Sequence, residues 1–283
     1  LSKIDLWFGE QYGRENGRYL NIKVDNVLEK LQTPFQEIYV VHSPTFGKIL
    51  INDGVVMLTE DDEAGYHEMI VHVPLCSHPE PKEVLVIGGG DGGTVRELLK
   101  HPQVSKVDVC EIDGEVIEVC RRHFPNLANS FDHKKVHIYL EDGAQFLISR
   151  KAQYDIIIID STDPIGPGTT LFTEHFYQSI FDSLKEDGIA VSQMESLFWH
   201  TGFIQDMFLF LKKIFPVTAY YYTMVPTYPS GMIGFSFCSK KYHPIEDFRP
   251  ERVAGLSDLK YYHADLHKAS FVLPAFAKND LQI

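Results

Sequence analysis

The stretch VIGGGDGG, Val86 to Gly93, ends the apolar run EVLVIG of residues 83–88 and opens a helical pattern over 93–100. Gly88, Gly90 and Gly93 satisfy G-x-G-x-x-G, the spacing that brings backbone N–H groups close to a ligand at the start of a helix. Such a strand, loop and helix belong to an open α/β sheet. Glu111, 20 residues beyond Asp91 at the end of the next strand, is placed to accept hydrogen bonds from ribose hydroxyls. A nicotinamide dinucleotide and another adenosine ligand fit these features equally. Asp91 separates them, because an aspartate inside the loop would oppose a pyrophosphate in a poorly screened site and would be a counter-ion for a cation. A nucleoside sulfonium that carries an amine meets that description. The competing reading is an aspartate that only caps the following helix.

Working outward from the loop, 106–113, 135–142, 154–161 and 188–195 read as further strands. Helical stretches around 114–123, 173–184 and 201–214 lie between most of them. The alternation predicts a mostly parallel sheet covered on both faces. PVTAYYYTMVP and GMIGFSFCSK, joined by TYPSG with no helix between, predict an antiparallel pair that closes it. Before residue 62 the grammar differs: GRYLNIKV, FQEIYVVHS and GKILINDGVVMLT are short runs broken by turn signals, as in antiparallel hairpins. The expectation is α/β, with a small N-terminal β domain over 1–62 and a Rossmann-like domain over 63–283.

A length of 283 residues suits one large core and a smaller one. The formal charge of −13 disfavours nucleic acid and anionic membrane surfaces, and favours cationic small molecules. Four cysteines without a C-x-x-C pair suggest buried free thiols in a reducing compartment. No apolar run approaches the roughly 18 residues of a membrane span and no secretory pattern opens the chain, so a cytoplasmic address is expected.

The carboxyl ends of the strands, where ligands of open α/β sheets bind, hold a surplus of acids: Asp91, Glu111, Asp113, Asp142, Asp160, Asp163 and Glu195. Asp142 suits either an adenine amino group or the N-cap of the helix beginning GAQFLIS. YDIIIIDSTDPIGPG ends an apolar strand in two acids, with Pro164, Gly166 and Pro167 stiffening the loop beyond them. HEMIVH is no metalloprotease motif. Its His67 and His72 are five apart, about 140° around a helix, and cannot chelate one ion. No metal site is expected.

LINDGVVMLTEDDEAGYHEMIVHVPL, VLVIGGGDGG, DSTDPIGPGTTLFTEHFYQSIFDSLKEDGI, VPTYPSGMIGF and HKASFVLPAF together resemble the spermidine synthase family, the putrescine aminopropyltransferases. The similarity spans nearly the whole chain. It implies a methyltransferase-type sheet, a homodimer or homotetramer, and transfer of an aminopropyl group from decarboxylated S-adenosylmethionine to putrescine without a prosthetic group. Asp160 matches the family's general base and Tyr66 the tyrosine assisting at the attacking nitrogen. Asp91 matches the aspartate that grips the aminopropyl amine, Glu111 and Asp142 the contacts to ribose and adenine. Gly88, Gly90 and Gly143 belong to the same donor site, and Gln36 and His67 fall at positions lining the donor. Asp163, Glu195 and Tyr228 match the diamine channel, which an aromatic resembling Trp7 closes. Met57 departs from relatives with glutamine there, which puts a polar contact to the donor amine in doubt. A putrescine N-methyltransferase, an enzyme for agmatine or cadaverine, and an idle polyamine-binding protein are the alternatives.

Overall fold

The computed structural model describes residues 5–14, 17–163 and 166–281. Among these residues six strands come first: β1 (Leu6–Gly9), β2 (Asn21–Val24), β3 (Asn26–Gln32), β4 (Glu37–Ser43), β5 (Gly47–Asn52) and β6 (Val55–Thr59). β1 and β2 pair antiparallel, and β3 to β6 form a four-stranded antiparallel meander in chain order. Period-two alternation decides where each side chain goes. Ile38 and Val40 of β4 join the main core, while Val41 faces a small second core with Ile22, Ile49 and Val56.

α1 (Glu63–Ser77) leads into β7 (Glu83–Gly88), α2 (Gly93–Leu99), β8 (Lys106–Glu111), α3 (Gly114–His123), α4 (Pro125–Ala128), β9 (Val136–Leu140), α5 (Gly143–Leu147) and β10 (Tyr154–Asp160). Next come α6 (Glu174–Ser183), β11 (Leu184–Gln193), α7 (Thr201–Ile214), β12 (Val217–Met224) and β13 (Met232–Ser239). The described residues end in the short helices α8 (Pro250–Val253), α9 (Ala264–Ala269) and α10 (Ala275–Leu281). The seven-stranded sheet has the order β12-β13-β11-β10-β7-β8-β9. Its strands are parallel except β13, antiparallel to β11 and to β12, the closing pair expected from the missing helix.

Both faces of this sheet are buried, which is why its strands are nearly continuous apolar runs. Val84, Val86, Ile156 and Ile158 point to the α1 side, while Leu85, Ile87, Ile157 and Ile159 point to the side that packs Ile180 of α6 and Leu211 of α7. Each such side chain contributes roughly 1.5–3 kcal/mol on burial. β11 begins four residues before the sequence suggests, at Leu184. The polar Lys185-Glu-Asp-Gly188 segment is absorbed by a register shift opposite Tyr154 and Ile156, which sequence pattern reads as a turn.

α1 is buried along its whole length, so its polar residues need partners inside the protein. Glu68 accepts the backbone N–H groups of Lys260, Tyr261 and Tyr262 at 2.8, 2.9 and 2.7 Å. His72 lies 2.9 Å from His101 and 3.0 Å from Glu97, away from His67. The two histidines of HEMIVH therefore serve separate networks.

After β9 the chain crosses back to β10 on the other side of β7, so the strand order reverses between β7 and β10. A crevice opens at their carboxyl ends. Gly88 pairs with Asp160 there, and Gly89 N–H donates to the Asp160 carbonyl at 2.8 Å. Gly88 has φ +82°, and a β-carbon on it would overlap that carbonyl oxygen. Gly88→Ala is expected to cost about 2 kcal/mol or more, from the left-handed backbone and the overlap together. A urea midpoint equal to that of the parent would show that these strand ends are not held so closely.

Candidate active site

The crevice widens into a cavity of about 650 Å³ lined by both β systems. Of the site residues implied by the resemblance all line it except Trp7, whereas Asp113, among the strand-end acids, and Gly93 of the glycine motif are not in its lining. Trp7 lies on β1, is 59% exposed and is not part of the cavity lining. The indole in the cavity wall is Trp199, just before α7, with the Arg18 guanidinium 4.4 Å from its ring. Pro164 lies outside the described residues, and so does its part in stiffening the loop after β10.

Asp160 ends β10 with both carboxylate oxygens engaged. Tyr66 of α1 donates its hydroxyl to Oδ1 at 2.8 Å, and Thr94 of α2 donates to Oδ2 at 2.6 Å. Burial and the nearby negative charge of Asp91 raise the Asp160 pKa above the usual carboxylate range, and the His67 charge and the two hydroxyls oppose that rise. Burial and the Asp160 charge push the Tyr66 hydroxyl well above its ordinary value, so Tyr66 is a donor and not a base.

Asp91 Oδ1 accepts Gly93 N–H at 2.6 Å and lies 3.2 Å from His67 Nε2. It accepts the first backbone N–H of α2 and faces the imidazole of His67. Gly93, the third glycine of the motif, has a function outside any phosphate chemistry: a β-carbon there would run into the His67 ring. The other nitrogen of His67, Nδ1, is 2.7 Å from Glu63, which Arg96 grips with two hydrogen bonds of 2.9 and 2.8 Å. Burial works against the charged imidazole, but Asp91 and Glu63 outweigh it and raise its pKa well above normal. Burial likewise opposes the Glu63 carboxylate, yet His67 and Arg96 lower its pKa to about 2. His67, Asp91 and Asp160 bring possible ligand atoms within 4.8 Å of one another. An imidazolium bonded at both nitrogens has no lone pair for a metal.

At one end of the cavity Glu111 is buried and accepts Asp113 N–H at 2.9 Å. Burial, with Asp113 and Asp160 adding to it, lifts its pKa to about 7. Asp113 accepts Thr33 Oγ1 at 2.7 Å and Gln36 Nε2 at 2.9 Å, which ties the N-terminal meander to the sheet. Asp142 caps α5 through Gln145 N–H at 2.9 Å and also faces the cavity, beside Gly143. The N-cap reading of Asp142 is met by that bond.

At the opposite end Asp163 accepts Gln193 Nε2 at 2.8 Å. Burial and the charges of Glu195 and Glu10 raise its pKa well above normal. Glu195 is buried at φ +57°, accepting the Tyr12 hydroxyl at 2.8 Å and lying 2.6 Å from His200 Nδ1. Tyr228 donates to the Met57 carbonyl at 2.8 Å. Any residue supplies that carbonyl, so this contact does not depend on the side chain at position 57. Gln193, two residues before Glu195 at the end of β11, could have been found by extending the rule of strand ends. Tyr12, 183 residues from Glu195, left no local signal.

Residues 63–248 match the family pattern described as the spermine/spermidine synthase domain, and residues 6–60 one described as the spermidine synthase tetramerisation domain. The chain is 46% identical over 276 residues to a polyamine aminopropyltransferase of Leptospira biflexa, covering 97% of this chain and 98% of that one. It is 44% identical over 280 residues to a spermidine synthase of Dictyostelium discoideum, with 98% of each covered. Among solved structures, a spermidine synthase from Thermotoga maritima superposes with a TM-score of 0.94 at 43% identity, over 100% of this chain and 96% of the other. A spermidine synthase bound to the transition state analogue AdoDATO superposes at 0.96, also 43% identical, over 100% and 97%.

The charge network makes stability depend on pH with a definite sign. His67 has a raised folded pKa, so its stabilisation is complete below its unfolded value, roughly 6.5, and is lost as pH rises through the folded one. Glu63 has a lowered pKa, so its share is present above roughly 4.3 and is lost on acidification towards about 2. The urea midpoint of His67→Gln should therefore fall furthest below the parent between about pH 5 and 6, and the gap should shrink on the alkaline side. A gap independent of pH would mean that His67 carries no charge in the fold.

Proposed function

Since the chain belongs to the spermine/spermidine synthase family and is a polyamine aminopropyltransferase, we propose that it makes spermidine. In this reading it transfers the aminopropyl group of decarboxylated S-adenosylmethionine to putrescine, leaving methylthioadenosine. The observation that carries it is the gathering of Asp91, Asp160 and Asp163 in one cavity, between Glu111 at one end and Glu195 at the other. Two cationic substrates laid end to end match that line of acids. We also place the division between an N-terminal β domain and the catalytic domain at residues 62 and 63. A homodimer or homotetramer is proposed on the strength of the tetramerisation pattern over residues 6–60.

The donor lies with its ribose hydroxyls on Glu111, its adenine toward Asp142 and Gly143, and its ammonium on Asp91, with Gln36 and His67 in the wall. The acceptor lies along Asp163 and Glu195, with Tyr228 beside it. An alkylamine has a pKa near 10.4, so at neutral pH it binds as an ammonium and the surrounding acids hold it in that form. The acids that help binding oppose attack. Asp160 resolves this by taking one proton from the acceptor nitrogen, and Tyr66 orients that nitrogen and the carboxylate together. The nitrogen lone pair then attacks the carbon next to sulfur, the carbon–sulfur bond breaks, and its electron pair neutralises the sulfonium. A positioned base contributes roughly 10²–10⁴-fold, and alignment of the two substrates supplies much of the rest. Burial favours the reaction as well, because a carboxylate with a raised pKa accepts the proton more readily.

Asp160→Asn should lower kcat by roughly 10²–10⁴-fold with donor affinity largely kept, as read by product mass spectrometry and calorimetry. Full turnover in that variant would remove Asp160 from the chemistry. Intact S-adenosylmethionine would bring a carboxylate against Asp91, so Asp91→Asn should narrow the preference for the decarboxylated donor. Equal discrimination by both proteins would sink that account. A panel of putrescine, cadaverine, agmatine and spermidine decides the acceptor, with putrescine expected to give the highest kcat/KM.

A further inference from the structure

Thr94 is fully buried near the start of α2, three residues beyond Asp91. A threonine deep in a helix can turn its hydroxyl back to a carbonyl of the preceding turn, but Thr94 is the second residue of α2 and has no such turn before it. This one reaches across the crevice to Asp160, 66 residues away, at 2.6 Å. Packing alone does not call for an oxygen here, since valine has the same shape and no hydroxyl to satisfy.

We propose that Thr94 is a positioning residue for the Asp160 carboxylate, its hydroxyl on Oδ2 and that of Tyr66 on Oδ1 together fixing the plane of the base. The inference rests on the reading of Asp160 as the base. Two donors on opposite oxygens stop rotation about the Cβ–Cγ bond and leave the remaining lone pairs directed by the fold. Both donors are neutral and neither gives up its proton near neutral pH, so they stabilise the anion without competing for the proton it must accept. Asp160 is otherwise faced by Tyr66 and His67 from α1, by Asp91 from the glycine loop, by Glu111 from β8 and by Tyr228 from the turn between β12 and β13. Of these Asp91 disfavours the anion, while the His67 charge and then the hydroxyls of Thr94 and Tyr66 favour it.

The test is the pH dependence of kcat for Thr94→Val, Thr94→Ala and Thr94→Ser, with Asp160→Asn beside them. Loss of the hydroxyl should move the acidic limb about one pH unit upward and cut kcat about tenfold on that limb, with the donor KM little changed. Serine should restore the parent profile. Alanine covers the case in which the valine protein does not fold. A limb that stays in place in valine and alanine, while Asp160→Asn is inactive, overturns the role of Thr94 and leaves the base intact. A change confined to the donor KM overturns it equally. Full turnover by Asp160→Asn overturns the base, and this inference falls with it.

Discussion

Two carboxylates, Asp91 and Asp160, face one cavity at the ends of adjacent elements, and their mutual repulsion must be compensated for the fold to hold them there. Much of the unusual structure nearby stems from that constraint. His67 sits against Asp91, Glu63 holds His67 charged, and Arg96 anchors Glu63. Gly93 is small so that the imidazole can reach. Asp160 receives two hydroxyls directly, and the charged His67 nearby also favours its anion. α1 carries several of these compensating groups, and its complete burial is consistent with that work.

The N-terminal strands are part of the cavity and not an attachment beside it. Ile38, Val40, Leu50 and Leu58 belong to the same apolar cluster as the sheet and α1. Thr33 and Gln36 bind Asp113, and the carbonyl of Met57 receives Tyr228. Asp62, just before α1, accepts both the N–H and the hydroxyl of Thr227 at 2.9 and 2.7 Å, which fixes the turn that carries Tyr228. The cavity walls are thus set by contacts between segments far apart in the chain.

Short-range pattern is legible in the sequence, and it reaches a good part of the fold and the cavity. Apolar runs and the glycine loop reveal β7, β8 and β10, and the acids that end these strands reveal much of the cavity, because a parallel sheet aims its carboxyl ends at the ligand. The start of β11 escapes such a reading, since a polar Lys-Glu-Asp-Gly segment inside a strand looks like a turn. Trp7 rests on the resemblance alone, and a single aromatic in a short strand is a weak signal, because only tertiary packing decides whether it faces a cavity or solvent. Thr94, Tyr12 and Trp199 leave no trace because each acts through a distant partner and none carries a charge. The double use of Asp91 is hidden as well, because the helix N–H and the imidazole meet the same oxygen.

The hydrogen bond from Tyr12 to Glu195 has a consequence for how the protein comes into being. These residues lie 183 positions apart, so one end of the cavity exists only after the first and last thirds of the chain have met. Closing a loop of that size is slow and costs entropy before any contact rewards it. A nascent chain still on the ribosome, with β11 not yet made, has neither Gln193 nor Glu195 against its early strands. That end of the cavity is therefore completed late in synthesis.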